Sequence, residues 1–301
     1  MLNCQKPYVR TSAQRVSITR WVSSEDARLD AMPFPCGNCT PCRINNQRIW
    51  ATRMVLEKLS WHESCFCTLT YRDGTLTYDD HMTAMVHPRD MTLFLKRLKH
   101  TYPDFRYFAI GEYGDESLRP HWHLMLYGIP CSKKDEEKIE DVWGNGFCTL
   151  DELNWSTARY VAQYCIKKLT REDDELLFGK TPEKMFCSRG TAADQRGGLG
   201  RCFIRDISKQ IPKENGVIRG FRVGKRWFPL GRYLTKKLSE DRGLTEHEQK
   251  ADLYNYQLKL LNAGLDLSGY YNMSKIVLDS KGKVDSILHW HEITKLKKGK
   301  L

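Results

Sequence analysis

The chain has 301 residues and a formal charge of +11, from 48 Lys and Arg against 37 Asp and Glu. Such a length can bury a full core, and such a charge favours a polyanionic partner, nucleic acid first among them. No stretch approaches the roughly 18 consecutive apolar residues of a membrane span, and Met1 to Pro7 lack the apolar core of a secretory signal, so a cytoplasmic protein is expected. Eleven cysteines, an odd count without a signal peptide, argue for reduced thiols.

Three segments are expected: a Cys-rich arm with a basic helix over 1–60, a catalytic core over 61–170, and an accessory region with a lysine tail over 171–301. Residues 1 to 42 read as an irregular, folded-back arm. From Arg43 to Ser60, Ile44, Trp50, Met54, Leu56 and Leu59 alternate with Arg43, Arg48, Arg53 and Lys58. That pattern predicts an amphipathic helix whose Arg43, Arg48 and Arg53 can touch DNA phosphates. Cys65 to Tyr71 is β-branched and aromatic, hence a strand, turned by Arg72-Asp73-Gly74. Met91, Phe94, Leu95 and Leu98 recur at helical spacing behind Asp90 as a candidate cap.

Phe105 to Tyr113 alternates Phe108, Ile110 and Glu112 on one face, and a second strand, Pro120 to Tyr127, follows closely enough to make a hairpin. Asp135 to Trp143 reads as a short helix, Phe147 to Leu153 as a strand and Thr157 to Thr170 as a helix. The order β-α-β-β-α-β-α predicts an α+β fold, a ferredoxin-like antiparallel sheet with helices on one face. Cys65, Cys67, Cys165 and Cys187 sit among apolar neighbours and are expected in the core. Beyond Thr170, Glu172 to Glu175 is an acidic patch, Ser188 to Gly200 a loop, Phe221 to Tyr233 strand-like and Glu246 to Leu261 helical.

The chemistry concentrates in two places. His121 and His123 project from one face of their strand, with Trp122, Leu124 and Leu126 on the other. Two imidazoles and the Glu112 carboxylate across the hairpin give a divalent ion a partial shell with open positions, suited to Mg2+ or Mn2+ gripping a phosphate oxygen. The alternative is chance alternation in a half-buried strand, and Leu288-His289-Trp290-His291 shows that the triplet alone is weak. On the later helix, Ala158, Val161, Ala162, Cys165, Ile166 and Leu169 form an apolar stripe, leaving Tyr160, Tyr164, Lys167 and Lys168 to another face. Two phenols one turn apart beside a metal point to attack on a phosphodiester, with Lys167 able to stabilise the phenolate. Cys36, Cys39 and Cys42 are spaced to wrap one ion, or to form a reduced loop without metal. Gly179-Lys180-Thr181 is no phosphate-binding loop, because Asp174 stands where the first glycine is needed and Pro182 interrupts the helix that should follow.

This ordered set resembles the HUH endonucleases, and within them the rolling-circle replication initiators of microviruses, the gokushovirus type above all. The resemblance rests on Phe66 to Tyr71, on Gly111-Glu112-Tyr113-Gly114 leading to Arg119-Pro120-His121-Trp122-His123, on Tyr160-Val161-Ala162-Gln163-Tyr164, and on Pro35 to Arg43. It covers about residues 1 to 170. It implies that one tyrosine nicks single-stranded DNA at a viral origin, leaving a 5′-phosphotyrosine link and a 3′-hydroxyl that primes a host polymerase, and that the second tyrosine acts when the circle closes. A host helicase and the cytoplasm of an infected bacterium follow from the same resemblance. Tyr164 fits the family's Tyr-x-x-Lys pattern through Lys167 and is the expected first nucleophile. The family's cysteine near the chain start corresponds to Cys4, which would complete a four-thiolate zinc site. Rival readings are a relaxase or transposase using the same site, and a non-catalytic module whose aromatics stack on bases.

Overall fold

The computed structural model describes residues 8–10, 15–17, 36, 37, 39–78, 84–114, 119–164, 185–190, 196–211, 220–223, 226–245 and 248. The chain divides into two compact units, one drawn from 1–46, 212–219 and 243–301, the other from 47–211 and 220–242. In the first, β1 (Tyr8–Arg10) pairs antiparallel with β2 (Arg15–Ser17), so the arm is not wholly irregular. Helix α1 (Thr40–Lys58) starts three residues ahead of the predicted Arg43.

The second unit is built on β3 (Ser64–Thr70), β6 (Arg106–Tyr113), β7 (Pro120–Tyr127), β8 (Cys148–Glu152) and β9 (Met185–Cys187), with the small pair β4 (Thr77–Tyr78) and β5 (Ala84–Met85) beside them. Between the long strands run α2 (Pro88–Thr101) and α3 (Lys133–Trp143), and α4 (Trp155–Tyr164) follows β8. The sheet order is β8-β3-β7-β6-β9, every neighbour antiparallel. Setting β9 aside, the four strands of the predicted β-α-β-β-α-β unit lie in the order fourth, first, third, second. The α+β reading therefore holds, and β9 extends the sheet from the stretch expected to be accessory.

Helices cover both faces rather than the one expected. On one face Cys65, Cys67, Leu69, Trp122, Leu124 and Leu126 pack with Met91, Phe94, Leu95 and Leu98 of α2 and Ile139 and Trp143 of α3. On the other, Phe66, Phe108, Ile110, Met125 and Tyr127 pack with Ala51 and Met54 of α1 and Ala158, Val161 and Ala162 of α4. The physical reason is the sequence of the second face, which is as apolar as the first except at its histidine end. Buried on both sides, β6 and β7 can hold a polar residue only where partners are built for it.

Local chemistry sets the element ends. Asp90 is not the cap of α2; His87 is, with Pro88 opening the helix, while Asp90 accepts from Tyr71 Oη at 3.0 Å. The Ser132 hydroxyl accepts from Asp135 N at 3.1 Å, and Gly144 at φ +69° closes α3. Gly128, after β7, has φ +89°, and a Cβ there would lie 2.8 Å from the Asp104 carbonyl and 2.6 Å from the Trp61 ring. Gly128→Ala is expected to cost more than about 1–3 kcal/mol in urea unfolding; wild-type stability would mean that the turn relaxes freely.

Past β9 come α5 (Arg201–Asp206), the hairpin β10 (Gly220–Val223) and β11 (Arg226–Pro229), and α6 (Gly231–Asp241). Tyr233, expected in a strand, lies on α6 and donates no ladder bond; its hydroxyl accepts from Gly198 N at 2.6 Å. The predicted helical residues 165–170, with Cys165, the acidic patch 172–175, the decoy 179–181, the second His-Trp-His triplet and the lysine tail lie outside the described residues, as does 246–261 apart from Glu248. Among the described residues no helix is long and apolar enough to cross a membrane.

Candidate metal and tyrosine site

Strand register assembles the site. The β6–β7 pairing sets Glu112 opposite His121 and Ile110 opposite His123, and the β3–β7 pairing sets Thr70 opposite His121 and Thr68 opposite His123. Directly paired residues share a face, so the carboxylate and both imidazoles converge. Although Glu112 is in register with His121, its Oε1 lies 3.2 Å from His123 Nε2, with both side chains nearly buried.

The ring nitrogens are oriented by neighbours. His121 Nδ1 is 2.8 Å from the Arg119 carbonyl, which can only accept, so Nδ1 carries the proton and Nε2 keeps its lone pair. Burial lowers the His121 pKa against the pull of that hydrogen bond, and the neighbouring His123 lowers it further, favouring the neutral ring that a metal needs. His123 Nδ1 is held 3.1 Å from Thr68 Oγ1, which leaves Nε2 for the site. Yet His123 Nε2 and Glu112 Oε2 are both buried with no aligned hydrogen-bond partner. Two orphaned polar atoms of a nitrogen and a carboxylate ligand, side by side, fit a divalent cation and are costly without one.

Helix α4 lowers the tyrosines onto this face. Asn154 Oδ1 accepts from Ser156 N at 2.8 Å and Thr157 N at 3.1 Å, capping the helix, and Ala158, Val161 and Ala162 seat it on the sheet. Tyr164 stacks on His123 at 5.3 Å between centroids and 12° between planes. Tyr160 meets the same imidazole edge-on at 5.4 Å and Tyr164 at 5.1 Å. Phe66 stacks beneath His123 at 5.7 Å. The pair is therefore not spared from the core: Tyr164 is 5% exposed, while Tyr160 is half-buried. Burial pushes the Tyr164 phenol well above its ordinary range, and the nearby Glu112 carboxylate pushes it further, so its phenolate forms only where positive charge offsets Glu112.

The structure thus brings together Glu112, His121, His123, Tyr160 and Tyr164. Lys167 and Lys168 lie outside the described residues, as does Cys4. Of the basic helix, Arg48 is exposed and Arg43 half-buried, but Arg53 is withdrawn from any phosphate. Its guanidinium lies over Trp50 at 4.3 Å and Tyr233 at 4.8 Å and donates to the Leu199 carbonyl at 3.2 Å. Cys36, Cys39 and Cys42 place their sulfurs within 4.8 Å of one another, and Cys39 N donates to Cys36 Sγ at 3.2 Å. Cys65 and Cys67 are buried as expected, and Cys187 packs half-buried against the core. Sequence reasoning missed Thr68, Phe66 and the Arg119 carbonyl, although Phe66 and Thr68 alternate on β3 in step with the histidines.

Residues 64–169 match a family model described as replication-associated protein of the ORF2 type. The chain is 28% identical to the replication-associated protein ORF2 of Spiroplasma virus 4 over 226 residues, 69% of this chain and 68% of that one. It is 33% identical to the replication-associated protein VP4 of Bdellovibrio phage phiMH2K over 169 residues, 49% and 52% of the two chains. It is 28% identical to the replication-associated protein ORF4 of Chlamydia phage 1 over 294 residues, 87% and 67%. The solved N-terminal nuclease domain of minute virus of mice non-structural protein-1 is 13% identical, and at a TM-score of 0.16 the two do not superpose as one fold. Through residues 64–169 the chain belongs to the ORF2-type replication-associated protein family, and its relatives are replication-associated proteins of microvirus-type phages, as the ordered motifs implied.

Proposed function

We propose that the protein is a replication initiator endonuclease that nicks single-stranded DNA at a viral origin through a 5′-phosphotyrosine link and later rejoins the strand. The observation that carries this reading is the packing of Tyr160 and Tyr164 against the imidazole of His123, whose Nε2 and the Oε2 of Glu112 suit a cation. An ion such as Mg2+ or Mn2+ held by His121, His123 and Glu112 would grip a phosphate oxygen and offset the charge that develops at phosphorus. Thr68 and the Arg119 carbonyl keep the imidazoles turned toward that position. The Tyr164 oxygen forms the bond to phosphorus as the bond from phosphorus to the 3′-oxygen breaks, and the phenol's proton passes to the departing oxygen directly or through water. Lys167, one turn beyond Tyr164 in sequence, supplies positive charge to the phenolate. Tyr160, half-buried and one turn back, repeats the attack at the regenerated junction. Arg43, Arg48 and Lys168 contact DNA phosphates. Host helicase and polymerase complete replication, in the cytoplasm of the infected cell.

The test is a denaturing gel of the protein incubated with Mn2+ and single-stranded fragments tiling the genome that encodes it. A 3′-label is expected to travel with protein and a 5′-label to leave on the shortened strand. Binding without any covalent adduct would replace this reading with the non-catalytic module.

For the thiol cluster we propose structural zinc held by Cys36, Cys39 and Cys42, with Cys4 as fourth ligand. The Cys39 N–H aimed at Cys36 Sγ supports it, because a thiolate accepts such a bond better than a thiol. Metal analysis of protein purified without chelator is expected to give about one zinc per chain; a value near zero removes the site.

A further inference from the structure

Four side chains form one row across the sheet. Glu112 opposes His121, and His121 opposes Thr70. Thr70 in turn is closed onto Phe147 by a reciprocal backbone pair, Thr70 N donating to the Phe147 carbonyl at 2.9 Å and Phe147 N to the Thr70 carbonyl at 3.2 Å. Residues paired in this way point to one face. Burial agrees: Cys148, the next residue, is buried in the core behind the sheet, whereas Phe147 is 57% exposed. Phe147 therefore stands on the histidine face two strands from His121, roughly 10 Å away at ordinary strand spacing.

Its place is fixed by the backbone. A Cβ on Gly146 would fall 2.1 Å from the Thr70 carbonyl oxygen and 2.7 Å from Tyr71 Cα, so only glycine permits the approach that delivers Phe147 to the row. Arg72 N donates to the Asn145 carbonyl at 3.0 Å on the other side of the same turn. The Arg72 guanidinium carbon then lies 5.8 Å from the Phe147 ring centroid. The core makes little use of this ring, which keeps an open π-face beside an exposed cation.

We propose that Phe147 and Arg72 form a binding site for the nucleobase next to the phosphate addressed by Glu112, His121 and His123. The proposal rests on the single-stranded DNA reading above. The base stacks on Phe147, and Arg72 neutralises the flanking phosphate. Because every base has a π-face, the site positions the strand rather than choosing its sequence, and it rejects duplex, whose bases are already stacked.

The test is fluorescence anisotropy of labelled oligonucleotides spanning the nick, with the full chain and without added metal. Phe147→Ala is expected to weaken binding about 5- to 100-fold, while Phe147→Trp retains it. One abasic nucleotide beside the cleaved bond is expected to weaken wild-type binding by a similar factor and to leave Phe147→Ala unaffected. Equal binding by wild type and Phe147→Ala, or an abasic profile that the substitution does not change, overturns the site. Failure of the nuclease reading is separate: no covalent adduct from wild type, with Phe147-dependent binding intact, refutes cleavage and leaves the stacking site standing.

Discussion

With Tyr160 and Tyr164 both replaced by Phe, covalent DNA adduct is expected to fall by at least about 1,000-fold, because removing a nucleophile removes the step itself. Phe preserves the rings that stack on His123 at 5.3 and 5.4 Å, so the variant is expected to fold and to bind DNA, which circular dichroism and anisotropy check. His121→Ala is expected to lower adduct by about 100-fold or more through lost metal binding, and added Mn2+ recovers part of it. The single tyrosine variants separate the two attacks. Tyr164 stacks on His123 and feels the Glu112 carboxylate, so Tyr164→Phe is expected to abolish the first nick while Tyr160→Phe impairs strand rejoining. First-round nicking at the same rate in both variants refutes that division.

Glu112 is legible in the sequence because it needs only the hairpin of two consecutive strands, and antiparallel pairing then fixes its partner. The strand and helix order is legible for a related reason: alternation and helical spacing are local, and each element shows them within its own residues. Thr68 belongs to the same site but reaches it through β3–β7 pairing, which skips β6 in sequence. No local signal gives that register. Arg53 departs from expectation for the opposite reason. Its helical spacing predicts a basic face, whereas Tyr233 and Leu199, more than a hundred residues later, close over it. The second covered face is hidden because Met125 and Tyr127 read as companions of the histidines rather than as the core beneath α1 and α4.

Glu57 is the largest such omission, and its removal is expected to be the most destabilising change away from the site. It is fully buried, with Oε1 3.1 Å from Arg106 Nη1 and accepting from Trp61 Nε1 at 3.1 Å, while Oε2 accepts from Gly200 N at 2.7 Å. Arg106, 3% exposed, donates also to the Gly197 carbonyl at 2.6 Å. The network ties α1 to β6, the strand that carries Glu112, and to the Gly197–Gly200 turn. Glu57→Ala leaves a buried guanidinium without its counter-ion and is expected to cost about 3–5 kcal/mol in urea unfolding. Glu57→Leu combined with Arg106→Met removes both charges and is expected to recover most of that loss, less about 1–3 kcal/mol for the orphaned Gly200 N–H. If the double variant is no more stable than Glu57→Ala, the cost lies in anchoring the 197–200 turn rather than in the uncompensated charge.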